Sequence, residues 1–277
     1  MKIRWKRILE KLLEVKELVR LIKCELKKIK RNYFIFFITM ISILFPISVS
    51  ILMMTRNIES RKEFDLIFGF IVTWGAAIIL PLMIGIFASM LFFIERENDT
   101  LKNWRVIPIS ISKMIVAKII VVFMISFLYS LAAIIVTALL GVIVGVAMED
   151  ILLRLGIIVI TNILYLLGTF PILIVIVYLN KTFIFSVLLT VFYTFFNFAI
   201  GFVLMSSKSP IMKILINIIP TAIIYRGQMS SLIKNNAIYF EKVDDYFLSL
   251  PIVILILSFI GVLSYILIIK IYKKRER

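Results

Sequence analysis

Charged and aromatic side chains are concentrated in one short segment between two strongly apolar blocks, residues 92–114 (FFIERENDTLKNWRVIPISISKM). A short helix that projects into water needs an apolar knob and charged edges to bind a cleft on another protein. Aromatic anchors often dominate the energy of such interfaces, and charges set orientation and specificity. The residues suited to these contacts are Glu95, Glu97, Asp99, Thr100, Lys102, Trp104, Arg105 and Pro108. The segment therefore predicts a protein-docking loop, the alternative being a solvated loop whose Trp104 lies at lipid headgroups.

Catalytic chemistry has few candidate residues elsewhere in the chain. It contains no histidine, which excludes catalytic triads and histidine metal sites, and its single Cys24 can form neither a cysteine zinc site nor an internal disulfide. No glycine is followed by lysine, so a phosphate-binding loop of the G-x-x-x-x-G-K type is absent. The segment EDILLR, residues 149–154, resembles the acidic-pair-plus-arginine motif of intramembrane proteases. Because those enzymes also need histidine, we instead interpret the segment as an outer turn in which Arg154 forms an ion pair. We therefore predict a chain that is not an enzyme and binds no cofactor or metal.

Apolar residues make up 62% of the 277 residues and charged residues only 17%, and the apolar ones fall in blocks. A soluble domain is about half apolar and about one-quarter charged. Each block has the ~20 residues that a helix needs to cross a bilayer, and backbone groups in lipid must pair internally. The expected fold is an all-α membrane protein, and Lys118, near the end of a block, is expected to extend towards water. The six predicted spans are residues 33–54, 66–94, 115–148, 155–179, 183–205 and 248–271.

The basic residues predict the orientation of these spans. Twelve of the 32 Lys and Arg lie in residues 1–32, five lie in 95–118 and five in 270–277. The positive-inside rule puts both termini and the loop 95–114 in the cytoplasm. Residues 206–247 are then extracellular, and the apolar but short stretch 210–225 is expected to be re-entrant or interfacial. Because the positive charge lies at membrane boundaries, anionic lipid is the expected partner and nucleic acid is not.

Residues 1–32 are predicted to form a cytoplasmic amphipathic helix, and residues 33–277 the transmembrane domain. Apolar residues recur every three or four positions from Trp5 through Val15 and Val19 to Ile29, with basic and acidic residues between them. The pattern fits a helix lying flat at the inner leaflet, or a coiled-coil strand or partner-docking helix. We favour the inner leaflet, because the helix continues into the first span without a linker.

Span interiors carry Asn, Thr and Ser but no charge near mid-membrane, whereas ion-coupled carriers usually need one. Such polar residues more often make interhelical hydrogen bonds than bind a ligand. The chain could still transport if a partner supplies the energy. Phe192, Phe195, Phe196 and Asn197 of the fifth span are candidates to line a substrate path, the alternative being helix or lipid packing.

The run ERENDTLKNWRVIPISISKMIVAKII resembles the cytoplasmic loop of type-2 ABC exporter permeases. The matching positions are Glu95, Glu97, Thr100, Leu101, Pro108, Ser110 and Lys113 or Lys118. Two positions depart from the pattern: Asn98-Asp99 stands where many relatives have Gly before the Thr, and Ile111 where many have Arg. The resemblance implies that 95–114 is a coupling helix docked on a separate ATPase subunit. It also implies two ATPase copies that bind ATP and Mg, and a second permease copy or sister permease.

The chain is most similar to the small permeases of bacteriocin-immunity, bacitracin-resistance and cytolytic-peptide exporters. That similarity implies export of an amphipathic peptide, or its expulsion from a bacterial plasma membrane. Drugs, lipids and glycans are the alternative substrates within the same superfamily. Two other classes stay open: a self-contained carrier, which would transport without ATP, and a membrane scaffold, which would form no stable ATPase complex.

Overall fold

The computed structural model describes residues 2–30, 33–54, 68–97, 110–144, 151–179, 182–206, 216–233 and 248–276. Within these ranges the backbone forms helices and short connecting turns, with no strand, which confirms an all-α fold for the described residues. In chain order the elements are α1 (Lys2–Lys30), α2 (Tyr33–Met54), a π-helical segment (Ile71–Gly75) that leads into α3 (Ala76–Glu97), α4 (Ile111–Val144), α5 (Ile151–Leu179), α6 (Phe183–Ser206), α7 (Pro220–Ile233) and α8 (Leu250–Glu276).

Five helices of the described residues are long and apolar enough to cross a membrane. They are Phe68–Glu95, Ile111–Ile143, Ile151–Leu179, Phe183–Gly201 and Leu250–Lys274. These five correspond to the second to sixth predicted spans, so a multi-pass membrane protein is confirmed. Helix α2 has the bounds predicted for the first span, and the stretch of it whose side chains are described without gaps, Ile43–Leu52, is a shorter apolar helix. The six-span count and the cytoplasmic termini stay predictions.

Helices α3 and α5 form the centre of the bundle. Helix α3 packs against α4, α5 and α6, and α5 packs most extensively against α8. Along α3 the fully buried side chains Leu80, Ile84, Phe87 and Leu91 recur every three or four positions, which is the spacing of one helix face. Helices α6 and α8 lie at the periphery and keep wide apolar faces exposed. In a membrane such faces are covered by lipid tails or another protein.

Small residues allow the helices to approach closely. A Cβ on Gly85 of α3 would collide with the side chain of Thr190 on α6, and one on Gly261 of α8 would lie 2.5 Å from Leu167 of α5. Gly201 of α6 faces Ala222 of α7 in ordinary contact. Close backbone approach at glycine is the usual way in which helices gain packing energy inside a membrane.

Polar side chains within the spans link neighbouring helices, as the sequence predicts. The Asn162 amide of α5 accepts a hydrogen bond from Ser126 of α4 and donates one to Ser130. Thr161 of α5 accepts a hydrogen bond of 3.0 Å from Gln228 of α7. These contacts place Asn162 and Thr161 in packing roles.

Helix α7 occupies part of the predicted extracellular region 206–247. It begins at Pro220, a residue favoured at the first helical position because its fixed φ suits a helix and its missing N–H costs nothing there. Ile223 and Ile224 are fully buried, and α7 packs against α5, α6 and α8. The apolar stretch 210–225 therefore ends inside a helix that packs into the bundle, and residues 210–215 lie outside the described residues.

Candidate functional site

The predicted coupling segment, residues 95–114, is described at its two ends. Helix α3 continues to Glu97, and α4 begins at Ile111, so both helices extend into the predicted loop. The Glu97 side chain is not among those described. Six predicted contact residues lie outside the described ranges, namely Asp99, Thr100, Lys102, Trp104, Arg105 and Pro108. The site that the structure describes is therefore the base of the segment, where the chain leaves and rejoins the bundle.

Glu95 lies at this base with its carboxylate bonded inside the molecule. Its Oε1 lies 2.6 Å from Nζ of Lys118 on α4 and 2.9 Å from Nζ of Lys28 on α1. Its Oε2 accepts a hydrogen bond of 2.7 Å from the Tyr272 hydroxyl of α8. The Glu95 side chain is 0% exposed. The sequence predicts that Glu95 contacts a partner, whereas in the structure its carboxylate contacts side chains from three other helices.

A second carboxylate completes the arrangement. Glu25 of α1 lies 2.6 Å from Lys28 and 3.0 Å from Lys118 through its two oxygens. The Lys118 ammonium also donates a hydrogen bond of 3.1 Å to the Leu91 carbonyl. We call the five side chains of this arrangement the basal ion cluster: Glu25, Lys28, Glu95, Lys118 and Tyr272. With two carboxylates and two ammonium groups, it joins α1, α3, α4 and α8.

Burial makes the charge balance of the cluster necessary. Glu25 and Lys118 are each 1% exposed, and an unpaired charge at such a position would cost several kcal/mol of desolvation, by order of magnitude. Burial alone would lower the pKa of Lys28, but the carboxylates of Glu95 and Glu25 outweigh it and raise that pKa above its usual value. Lys28 therefore keeps its positive charge throughout the physiological pH range.

The first turns of α4 are tied to the same neighbours by two more contacts. The Lys113 ammonium lies 2.7 Å from the Glu17 carboxylate of α1, and the hydroxyls of Ser112 and Tyr265 of α8 are 2.6 Å apart. The Lys113–Glu17 pair is about one-third exposed, so it contributes much less than the buried pairs. Where the chain rejoins the bundle, α4 is thus held against both α1 and α8.

The basal ion cluster could be predicted only in part from the sequence. The visible signal was Lys118, a charge inside an apolar block, and such a residue is a reason to search for a partner. The prediction that Lys118 extends towards water is wrong, because its ammonium is buried on two carboxylates. A second signal was Glu25, which lies four residues from both Leu21 and Ile29 and shares their buried face.

The four residues predicted to line a substrate path lie on two different faces of α6. Phe192, Phe195 and Phe196 are exposed, and the Phe192 and Phe196 rings stack with centroids 5.5 Å apart. Asn197 is buried, and its amide donates a 2.8 Å hydrogen bond to the Tyr193 carbonyl of the same helix. The three aromatic residues therefore share a surface from which Asn197 is absent.

A small apolar cavity of about 30 Å³ lies between the π-helical segment, α6 and α7. Its lining residues are Trp74, Ala77, Phe198, Gly201, Thr221, Ala222 and Tyr225. The Trp74 ring makes edge contacts with Phe198 and Tyr225 at centroid distances of 5.7 and 5.5 Å. A space of this volume holds little more than a water molecule, so it is too small for a bulky peptide side chain.

The sequence model of one family, described as ABC-2 family transporter protein, matches residues 21–197, well over half of the chain. The match begins within α1 and ends within α6. It therefore contains the segment 95–114 and every member of the basal ion cluster except Tyr272. No curated protein matches the chain.

Proposed function

The chain belongs to the ABC-2 family of transporter proteins, and from this we propose that it exports amphipathic peptides or expels them from a bacterial plasma membrane. As a member of the family it is a multi-pass membrane permease of an ABC transporter. A permease of this family is a transport subunit and not itself an ATPase, and it implies an ABC ATPase partner. The route of coupling, the subunit stoichiometry, the orientation and the substrate class belong to the proposal.

The observation that carries the proposal is the position of the basal ion cluster at the described base of the segment 95–114. Glu95 lies three residues before the undescribed part of the segment, and it is bonded to α1, α4 and α8. A displacement of the segment by an ATPase would therefore reach four helices at once through short, buried contacts. This is the mechanical linkage that a permease needs if its energy comes from a soluble subunit.

The assembly that we propose has two ATPase subunits, which bind ATP and Mg, and a second permease copy or sister permease. Both chain termini and the segment 95–114 face the cytoplasm in this arrangement. The wide exposed apolar faces of α6 and α8 support a partner or lipid on those sides. Trp104 supplies the apolar anchor for the ATPase, and Glu97, Asp99, Lys102 and Arg105 set the orientation of docking.

The proposed substrate reaches the permease from the bilayer. An amphipathic peptide already partitions into lipid, and the exposed rings of Phe192, Phe195 and Phe196 form an apolar surface at which it could be collected. Asn197 is buried on another face, so the proposed peptide surface consists of the three phenylalanines alone.

The coupling proposal is tested by copurification. We expect an ABC ATPase subunit to copurify with the tagged chain from detergent-solubilised native membranes, and to be identified by mass spectrometry. A Trp104→Ala/Glu97→Arg variant should lose at least nine-tenths of it, on the order of the loss of one interface anchor. A Phe192→Ala/Phe196→Ala variant is the control and should retain it. If no ATPase copurifies even after crosslinking in intact membranes, or if the Trp104 variant binds it equally well, the coupling proposal is wrong.

The substrate proposal is tested by resistance. Cells that express the chain with its ATPase should survive several-fold higher concentrations of an amphipathic antimicrobial peptide than cells whose ATPase cannot hydrolyse ATP. Phe192→Ala/Phe196→Ala should reduce this protection. Leu255→Ala/Phe259→Ala, an apolar pair on α8 that is at least as exposed, should leave it intact. Protection against drugs without protection against peptides would contradict the peptide proposal while leaving the coupling proposal standing.

A further inference from the structure

Helix α1 presents three distinct faces from Glu14 onwards. One face is buried against the bundle and carries Leu21, Glu25 and Ile29. The opposite side carries a row of basic residues, all exposed: Lys16, Arg20, Lys23 and Lys27. The spacing of four, three and four residues places the row within about 60° of the helix circumference, at 100° per residue.

The charges of the basic row are left unpaired by the residues that the structure describes. None of the ion pairs among the described residues includes its members, and Glu17 and Glu25 point away from it, towards Lys113 and Lys118. With respect to the described ranges, the row therefore presents four positive charges without an ion-pair partner along about 16 Å of helix, at a rise of 1.5 Å per residue.

An exposed apolar edge lies directly beside the basic row. Val15 is 57% exposed and Val19 is 44% exposed, and both lie between the row and the buried face. The sequence predicts that the apolar stripe lies on the inner leaflet. Of its described members, Ile29 is buried against the bundle, whereas Val15 and Val19 form this open edge. A basic face adjoining an apolar edge is the arrangement of helices that lie in a membrane interface, with acyl chains at the apolar side and headgroups at the basic side.

We propose that the row Lys16, Arg20, Lys23 and Lys27 binds the phosphate groups of anionic phospholipids in the inner leaflet. The proposal rests on the cytoplasmic placement of α1 in the proposed function. Each Lys or Arg near an anionic membrane surface strengthens binding to that surface about fivefold. The opposite face of the same helix carries Glu25 and Lys28 of the basal ion cluster. Anionic lipid bound on one face therefore helps to hold the base of the coupling segment through the other.

Cys24 makes this binding measurable without adding a reporter site. It is the only cysteine of the chain and is exposed, and it lies next to the basic row on the helix surface. The full chain is labelled at Cys24 with a fluorophore and reconstituted into phosphatidylcholine vesicles. The vesicles contain equal small fractions of spin-labelled phosphatidylglycerol or of spin-labelled phosphatidylcholine. We expect phosphatidylglycerol to quench the fluorophore several-fold more strongly, and high salt to reduce the difference.

Matched variants separate charge from structure. Replacing the four residues of the row with glutamine should make the two lipids quench equally. Lys16→Arg/Lys23→Arg/Lys27→Arg, which keeps every charge, should preserve the native difference. Equal quenching in the native chain, or a native difference in the glutamine variant, would overturn the proposal.

One further measurement distinguishes a protein partner from lipid. If purified ATPase removes the phosphatidylglycerol preference, and the glutamine variant no longer copurifies the ATPase, the row is a protein-docking surface and the lipid proposal is wrong. If the preference persists with ATPase bound, the lipid proposal is supported. Because the quenching needs no ATPase, its failure is distinguishable from failure of the coupling proposal.

Discussion

Replacing Lys118 with methionine is expected to destabilise the folded chain by about 3–5 kcal/mol. The substitution nearly preserves side-chain volume but removes the ammonium that contacts both Glu25 and Glu95. Among the described residues of the cluster, two buried carboxylates would then share the single charge of Lys28. Desolvation of the uncompensated carboxylate accounts for most of the expected loss, because neither carboxylate can reach water from its buried position.

The free energy of unfolding of the purified chain is measured in detergent by denaturant titration. Lys113→Met is the matched control, since it removes the same chemical group from a partly exposed pair with Glu17 and should cost far less. Glu95→Gln combined with Lys118→Met should recover part of the loss, because Glu25 and Lys28 then remain as a balanced pair. Equal losses for Lys118→Met and Lys113→Met, or no recovery in the double variant, would show that the cluster is not a balanced buried unit.

Replacing Gly85 with alanine is expected to destabilise the contact between α3 and α6 by about 1–3 kcal/mol, although alanine is the better helix former. The added Cβ would overlap Cγ2 of Thr190 and lie 2.9 Å from its Oγ1 and 3.1 Å from its Cβ. A change of the Thr190 χ1 rotamer would therefore exchange one close contact for another. The two helices would have to move apart, and the loss of close packing is costly where no hydrophobic effect drives helices together.

The same unfolding measurement tests this prediction. Gly156→Ala on α5 is the control, because a Cβ there meets no atom within 4 Å and stability should be unchanged or slightly higher. Adding Thr190→Ala to Gly85→Ala should restore much of the stability. An unchanged unfolding free energy for Gly85→Ala, or a loss that Thr190→Ala does not relieve, would contradict close packing at this point.

The two faces of α6 show how much could have been predicted from helical periodicity alone. Phe192 and Phe196 are one turn apart, whereas Asn197 follows Phe196 by one residue and is rotated by about 100°. The spacing was therefore sufficient to separate Asn197 from the aromatic surface. The spacing could not tell which face is buried, because either the aromatic face or the face with Ser186, Thr190 and Thr194 could pack against a neighbouring helix. The close approach at Gly85 decides it.

Glu95 shows the opposite case, because no local sequence pattern could have predicted its bonded partners. Its bonded partners are Lys28, Lys118 and Tyr272, which are distant in the sequence and belong to three other helices. A glutamate at the end of an apolar block is equally compatible with an exposed loop and with a buried ion cluster. The difference depends on how four helices pack, and sequence spacing within one helix carries no information about that.

The sequence by itself determined the class of protein, because apolar length is a property of each segment alone and a bilayer accepts only segments of sufficient length. It also placed most helix ends within a few residues, from Tyr33–Met54 to Phe183–Ser206. Only the tertiary structure decided which charges pair, which face of α1 stays open and which apolar faces are left at the periphery. These are properties of contacts between helices, and they depend on distances in space that the order of residues does not fix.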